Sequence, residues 1–249
     1  MTETLPLTGE RTAPGIWHEN YWFARHEAAY RWITANWLGS ELLGSDTGRV
    51  LDAGCGEGYG ADLLRRAGAG QVFGLDYEGT TLRHVAKAYP QINLVQGNLV
   101  RTGFADDTFG LLVSLQTIEH LWEQPRFVTE CARIARPGAL VVLSTPNRLT
   151  FPSGNWYHTR ELTGPEFTEL VEADLELVET FGLWHGERLT AWEQQHGSCV
   201  DAQLASDHTT WSAELIDLVT GTDHQDFVIR AGDLEDSLDL VVVARARLT

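Results

Sequence analysis

Three glycines alternate in Val50-Leu51-Asp52-Ala53-Gly54-Cys55-Gly56-Glu57-Gly58, directly after a short apolar run. Glycine lacks Cβ, so a ligand can approach the backbone closely and left-handed backbone angles are allowed. A second acid, Asp76, ends the next apolar run in Gly74-Leu75-Asp76-Tyr77. An acid at that place can accept hydrogen bonds from two ribose hydroxyls. The spacing differs from the G-x-G-x-x-G of dinucleotide binders, where a pyrophosphate sits on helix amides. Asp52 and Glu57 on this turn would repel a diphosphate. They tolerate a ligand that carries an ammonium and a sulfonium.

A second group of chemically capable residues follows the fourth apolar run, in Gln116-Thr117-Ile118-Glu119-His120. If that turn is helical, spacings of three and four put Gln116, Glu119 and His120 on one face. His158 comes later, after the fifth apolar run, and can approach from a facing loop. An amide oxygen, a carboxylate and two imidazoles can hold a divalent ion: Mg²⁺ through its preference for oxygen, or Mn²⁺ or Zn²⁺ through the histidines. Such an ion lowers the pKa of a hydroxyl, and a nearby base takes the proton. Glu119, His120 and His158 are the candidate catalytic groups. Two histidines acting as bases without a metal is the competing reading.

The elements that must position these groups alternate regularly from Arg49 onward. Apolar runs at Val50–Ala53, Val72–Leu75, Ile92–Val95, Gly110–Leu115 and Ala139–Ser144 read as buried strands. Helical spacing falls between them at Tyr59–Ala67, Thr80–Tyr89 and Gln124–Ile134, which predicts a parallel sheet covered by helices. Further on, Pro165–Ala173 reads as a helix, with strands at Leu175–Gly182 and Leu238–Ala246. The segment from Glu187 to about Leu234 is polar and without clear period, and is expected to cover the carboxyl edge of the sheet, where ligands bind in this kind of fold. Ahead of all this, residues 1–17 read as an irregular arm. An aromatic-rich helix follows over Glu19–Leu38, and Ser45-Asp46-Thr47-Gly48 breaks it. The expected division is an N-terminal arm and helix over 1–45 and one ligand-binding domain over 46–249, with the cover at about 187–234.

Bulk properties narrow the partners. The chain has 249 residues, 43% of them hydrophobic, which suits a globular core. Its net charge of −17 disfavours nucleic acid and an anionic membrane surface, both of which need clustered Lys and Arg. No apolar run approaches ~18 residues. Three scattered cysteines offer neither a disulfide framework nor a metal pair. A cytoplasmic location is expected. The nine tryptophans, concentrated near the two ends, suggest a homodimer, and Trp156 and Tyr157 beside His158 could stack on a sugar face. His185 and Arg188 could contact an acceptor; His18, His26, His84, His208 and His224 are taken as surface residues.

The glycine turn, Asp76 and the Gln96-Gly97-Asn98-Leu99 turn together resemble the class I S-adenosylmethionine-dependent methyltransferases, over roughly Arg49 to Asn147. The resemblance implies a Rossmann-like α/β fold, with a mostly parallel seven-stranded sheet and an antiparallel final strand. It implies that Asp52, Gly54 and Gly56 line the methionine end, that Asp76 holds the ribose, and that Tyr77 and Asn98 lie by the adenine. It also puts Leu115 on the cofactor, and Arg25 on its carboxylate. Asn98 departs from the family, which more often has Asp there. A sharper resemblance adds Thr8-Gly9-Glu10-Arg11, Ser144-Thr145-Pro146-Asn147-Arg148 and Tyr157-His158-Thr159-Arg160-Glu161-Leu162. In that order these look like actinobacterial enzymes that O-methylate mannose- or glucose-based polysaccharides, which implies an oligo- or polysaccharide acceptor. Gln116, Glu119, His120 and His158 resemble the Glu-x-x-Glu-His…His set of metal-dependent O-methyltransferases, with Gln116 in place of the first Glu. A quinone-type or other small-molecule O-methyltransferase and a non-catalytic cofactor-binding partner remain as alternatives.

Overall fold

The computed structural model describes residues 12–38, 48–152 and 155–248. The Thr8–Arg11 motif and the break at Ser45–Thr47 lie outside the described residues.

Strands β1 (Arg49–Ala53), β2 (Gln71–Asp76), β3 (Asn93–Gln96), β4 (Phe109–Ser114) and β5 (Ala135–Pro146) are separated by helices α2 (Tyr59–Arg66), α3 (Gly79–Ala88) and α4 (Gln124–Ile134). Helix α1 (Asn20–Asn36) precedes them; α5 (Gly164–Glu172) and β6 (Leu175–His185) follow. Then come α6 (Glu187–His196), α7 (Cys199–Leu204), α8 (Ala213–Thr220), β7 (Phe227–Arg230) and β8 (Asp239–Ala246). The spatial order is β3-β2-β1-β4-β5-β8-β6-β7. β1 to β5 pair in parallel. β8 runs antiparallel between β5 and β6, and β7 pairs antiparallel with β6.

The sheet therefore has eight strands where seven were expected. The addition is β7, four residues long, and it falls inside the segment read as an aperiodic cover. That segment also holds α6, α7 and α8. These helices are short, and their apolar residues share a small core with α1 and with Leu183 of β6 and Phe227 of β7. Tyr21, Ala24 and Ala28 of α1 meet Leu189, Cys199, Val200, Leu215, Leu218 and Val219 there.

Successive side chains of a strand face opposite sides, so each central strand feeds two cores. Leu51, Leu112 and Val141 pack with Phe127 and Phe167 on one face. Val50, Leu111 and Val142 pack with Ala29, Ile33 and Leu64 on the other. The strand order reverses between β1 and β4, which opens a crevice at their carboxyl ends. Among the described residues no helix is long and apolar enough to cross a membrane.

Candidate active site

The chain leaves β1 through Gly54, Gly56 and Gly58 with φ of +84°, +47° and +77°. Gly54 N and Cys55 N both donate to Leu75 O, at 2.8 and 3.0 Å, which pins the turn to the end of β2. A Cβ at Gly54 would lie 2.6 Å from the Thr117 side chain, so the turn also abuts the segment after β4. The Asp76 carboxylate accepts from Gly56 N at 3.0 Å and from Glu78 N at 2.9 Å. Its oxygens are thus fixed by two amides and keep lone pairs for further donors. Gly54, Gly56, Glu57, Tyr59, Leu115 and Gln116 line a groove of about 60 Å³ beside the turn, together with Thr12 and His26. The Glu57 carboxylate accepts from His84 Nδ1 at 2.7 Å, so His84 is not an idle surface residue. Replacing Asp76 with alanine removes charged acceptors worth about 3 kcal/mol, so cofactor affinity measured by calorimetry should fall roughly a hundredfold. Unchanged affinity would remove Asp76 from ribose binding.

Three cofactor expectations need correction or qualification. Asp52 is fully buried behind the turn rather than on the groove wall. Tyr30 OH donates to its Oδ1 at 2.9 Å, while Oδ2 has no partner. Burial pushes this carboxyl up to about 7, against the pull of the Tyr30 hydrogen bond. Arg25 does not stand ready for a cofactor carboxylate: its Nε and one terminal nitrogen hold both Asp239 oxygens, at 2.8 and 2.6 Å. The pair is buried, and the same terminal nitrogen also donates to Leu238 O. Tyr77 and Asn98 are exposed and line neither the groove nor the cavity beside it. Asn98 Oδ1 accepts from Val100 N at 3.0 Å and caps its own turn.

Asp52 gives a pH prediction. Between about pH 4 and pH 7 the folded cofactor-free chain holds a proton that the unfolded chain releases. Its contribution to stability therefore falls as pH rises through that window and is level above it. Asp52→Asn should flatten this part of a stability-against-pH curve from denaturant titrations; an unchanged slope would assign it elsewhere.

The groove shares Thr12, His26 and Gln116 with an adjoining larger cavity of about 320 Å³. Gln116, Glu119, His120 and His158 line its inner part; His18, Glu19 and Trp22 face Asp207, His208 and Trp211 farther out. The turn after β4 is not the single helical face expected. Gln116 has φ +49°, and the helical hydrogen bonding is a 3-10 turn over Ile118–His120. Left-handed angles are uncommon for a residue with a side chain and cluster at functional positions. Gln116 N donates to Ser144 O at 3.1 Å, and its side-chain nitrogen to Ser144 Oγ at 3.2 Å.

Glu119, His120 and His158 do come together: one ligand atom from each lies within 4.8 Å of the others. The backbone brings His158 in. Thr159 N donates to Glu119 O at 2.7 Å, and the Thr159 hydroxyl lies 3.0 Å from the same oxygen. His120 Nδ1 is 3.2 Å from Tyr157 O, and His158 Nδ1 is 2.7 Å from Glu161 Oε1. Neither oxygen can donate, so both Nδ1 atoms carry protons and both Nε2 atoms act as acceptors. Asn155 Nδ2 donates to His158 Nε2 at 3.0 Å, a hydrogen bond that a cation on that nitrogen would replace. Rings held through Nδ1 by a carbonyl or carboxylate are the usual support of metal-bound histidine. Glu119 Oε1 lies 3.9 Å from His120 Nε2, and Oε2 accepts from Thr145 at 3.2 Å. Burial pushes the Glu119 carboxyl up to about 7, against the pull of His120. The donor set, one buried carboxylate and two oriented imidazoles, fits a divalent cation.

Three residues taken as surface, His18, His26 and His208, line the cavity. His26 also lines the groove. His18 stacks on His208 with ring centroids 3.9 Å apart, linking the start of α1 to the late segment. His18, Trp22 and His26 recur every four residues, a readable helical stripe. His185 and Arg188, which could contact an acceptor, are engaged within the protein: His185 lies between Tyr21 OH at 2.6 Å and Glu193 at 2.9 Å. Arg188 pairs with Asp226 at 2.6 Å.

The sheet order, glycine turn and Asp76 define a Rossmann-like domain built for an adenosine-bearing cofactor. A family model for a methyltransferase domain matches residues 51–143. A probable S-adenosylmethionine-dependent methyltransferase of Mycolicibacterium smegmatis is 43% identical, over 98% of this chain and 96% of its own length. A ubiquinone biosynthesis O-methyltransferase of Mesorhizobium japonicum is 32% identical over 109 residues, 40% of this chain and 41% of that one. Among solved structures, a possible histamine N-methyltransferase of Thermotoga maritima shares the fold, with TM-score 0.60 at 16% identity, over 91% of this chain and 93% of that one. The chain belongs to the S-adenosylmethionine (SAM)-dependent methyltransferases, and it is an enzyme.

Proposed function

We propose that this enzyme transfers the SAM methyl group to a hydroxyl oxygen of a carbohydrate acceptor, with a divalent cation, Mg²⁺ or Mn²⁺, held by Glu119, His120 and His158. The observation that carries this is the convergence of those three ligand atoms within 4.8 Å on the wall of a cavity adjoining the cofactor groove. A divalent cation there would supply the Lewis acidity that makes a sugar hydroxyl a competent nucleophile. Glu119 would contribute the negative charge of the set, from a side chain that is 1% exposed. Tyr157 O and Glu161 fix the two rings so that Nε2 of each acts as the acceptor nitrogen. Gln116 lines the same wall and donates its amide nitrogen to Ser144, so its oxygen, the atom a cation would take, is not used in that bond.

The cavity's outer wall supports a hydroxyl-rich acceptor. Trp22 and Trp211 alternate there with His18, Glu19, Asp207 and His208, a mixture of ring faces and hydrogen-bonding groups. Trp122 and Trp156 are 87% and 97% exposed, each two residues along the chain from His120 or His158. The test is a methyl-transfer screen with labelled SAM over mannose, glucose, their oligosaccharides and catechols, with Mg²⁺, Mn²⁺ or EDTA. Cation-dependent methylation of a sugar is expected. Full activity in EDTA would remove the metal, and turnover of catechols alone would favour a quinone-type acceptor. That second reading draws on the ubiquinone biosynthesis relative.

A further inference from the structure

Methyl transfer places the sulfonium where the cofactor groove adjoins the acceptor cavity, because the methyl leaves one space and enters the other. Among the described residues, Thr12, His26 and Gln116 line both. The Thr12 hydroxyl is already held between His26 Nδ1 at 3.3 Å and Tyr59 OH at 3.0 Å. Gln116 directs its amide nitrogen to Ser144. His26 has Nδ1 3.0 Å from Tyr59 OH, so Nε2 is its ring nitrogen left for a ligand. The ring is fixed from two sides, by its own helix α1 and by Tyr59 at the start of α2. Burial lowers its pKa to about 4, so the imidazole is uncharged at neutral pH.

A sulfonium spreads positive charge onto its methyl and methylene hydrogens, which become weak hydrogen-bond donors. A neutral nitrogen lone pair is a suitable partner for them. We propose that His26 binds the sulfonium centre of SAM through Nε2 and so lets the enzyme tell the charged methyl donor from its neutral thioether product. The tautomer that serves this carries its proton on Nδ1, donated to the Tyr59 oxygen, and the Tyr59 proton goes to Thr12. The proposal rests on the larger cavity being the acceptor site, but its test needs neither the acceptor's identity nor the cation.

Calorimetry on the full chain with SAM and with S-adenosylhomocysteine tests it. His26→Leu should weaken SAM at least fivefold and leave S-adenosylhomocysteine within about twofold. His26→Lys, which places a cation there, should weaken SAM far more than S-adenosylhomocysteine. His26→Gln retains an acceptor atom in a similar volume; it should keep most of the preference and serves if the leucine variant does not fold. Equal changes for both ligands in the folded variants, or no change for either, would overturn the assignment.

Discussion

Glu119→Ala is expected to lower kcat by about a thousandfold while leaving SAM affinity within about twofold. The side chain is 1% exposed and lines the larger cavity but not the groove beside the glycine turn. Under the proposed cation-assisted mechanism its loss removes the one carboxylate of the three-ligand cluster, so Mg²⁺ or Mn²⁺ should no longer rescue chelator-treated protein. Glu119→Gln keeps an oxygen but not the charge, and should fall between. The measurements are steady-state turnover with added cation and calorimetry with SAM. Parallel loss of turnover and SAM affinity would make Glu119 part of the cofactor site instead.

Arg25→Ala should destabilise the chain by roughly 3–5 kcal/mol, a fall in Tm of about 10 °C, because it strands Asp239 as a buried charge. Asp239 opens β8, opposite Pro146 of β5 and Leu183 of β6. The pair therefore fastens α1 to the middle of the sheet's antiparallel region. Replacing both partners, Arg25→Met with Asp239→Leu, should cost much less than either single change. A thermal melt beside SAM calorimetry separates the two roles open to Arg25. Loss of SAM affinity at unchanged Tm would restore it as a cofactor ligand.

The sequence made the cofactor half legible for a physical reason. Parallel strands buried on both faces leave continuous apolar runs, and the turn from β1 can be made only with residues that tolerate positive φ. β7 escaped because Phe227-Val-Ile-Arg is short and lies within polar surroundings. The helices α6 to α8 are six to ten residues long and bury few residues each, so no sustained period marks them. Asp239 lies far along the chain from Arg25, and nothing local announces such a partner. The Gln116 kink likewise comes from Ser144, on a neighbouring strand. The His18–Trp22–His26 stripe was readable by spacing, but isolated histidines are common on surfaces, and only the cavity gives these a purpose.

The link from Thr159 to the Glu119 carbonyl has a thermodynamic consequence. It ties the 3-10 turn directly to the segment bearing His158, so a form that gathers the ligands is also one that keeps this hydrogen bond. Any cation that prefers the gathered form must then stabilise the loop, by about 2.7 kcal/mol at a hundred times its Kd. Amide exchange at Thr159 would accordingly slow as cation is added, reporting occupancy without turnover.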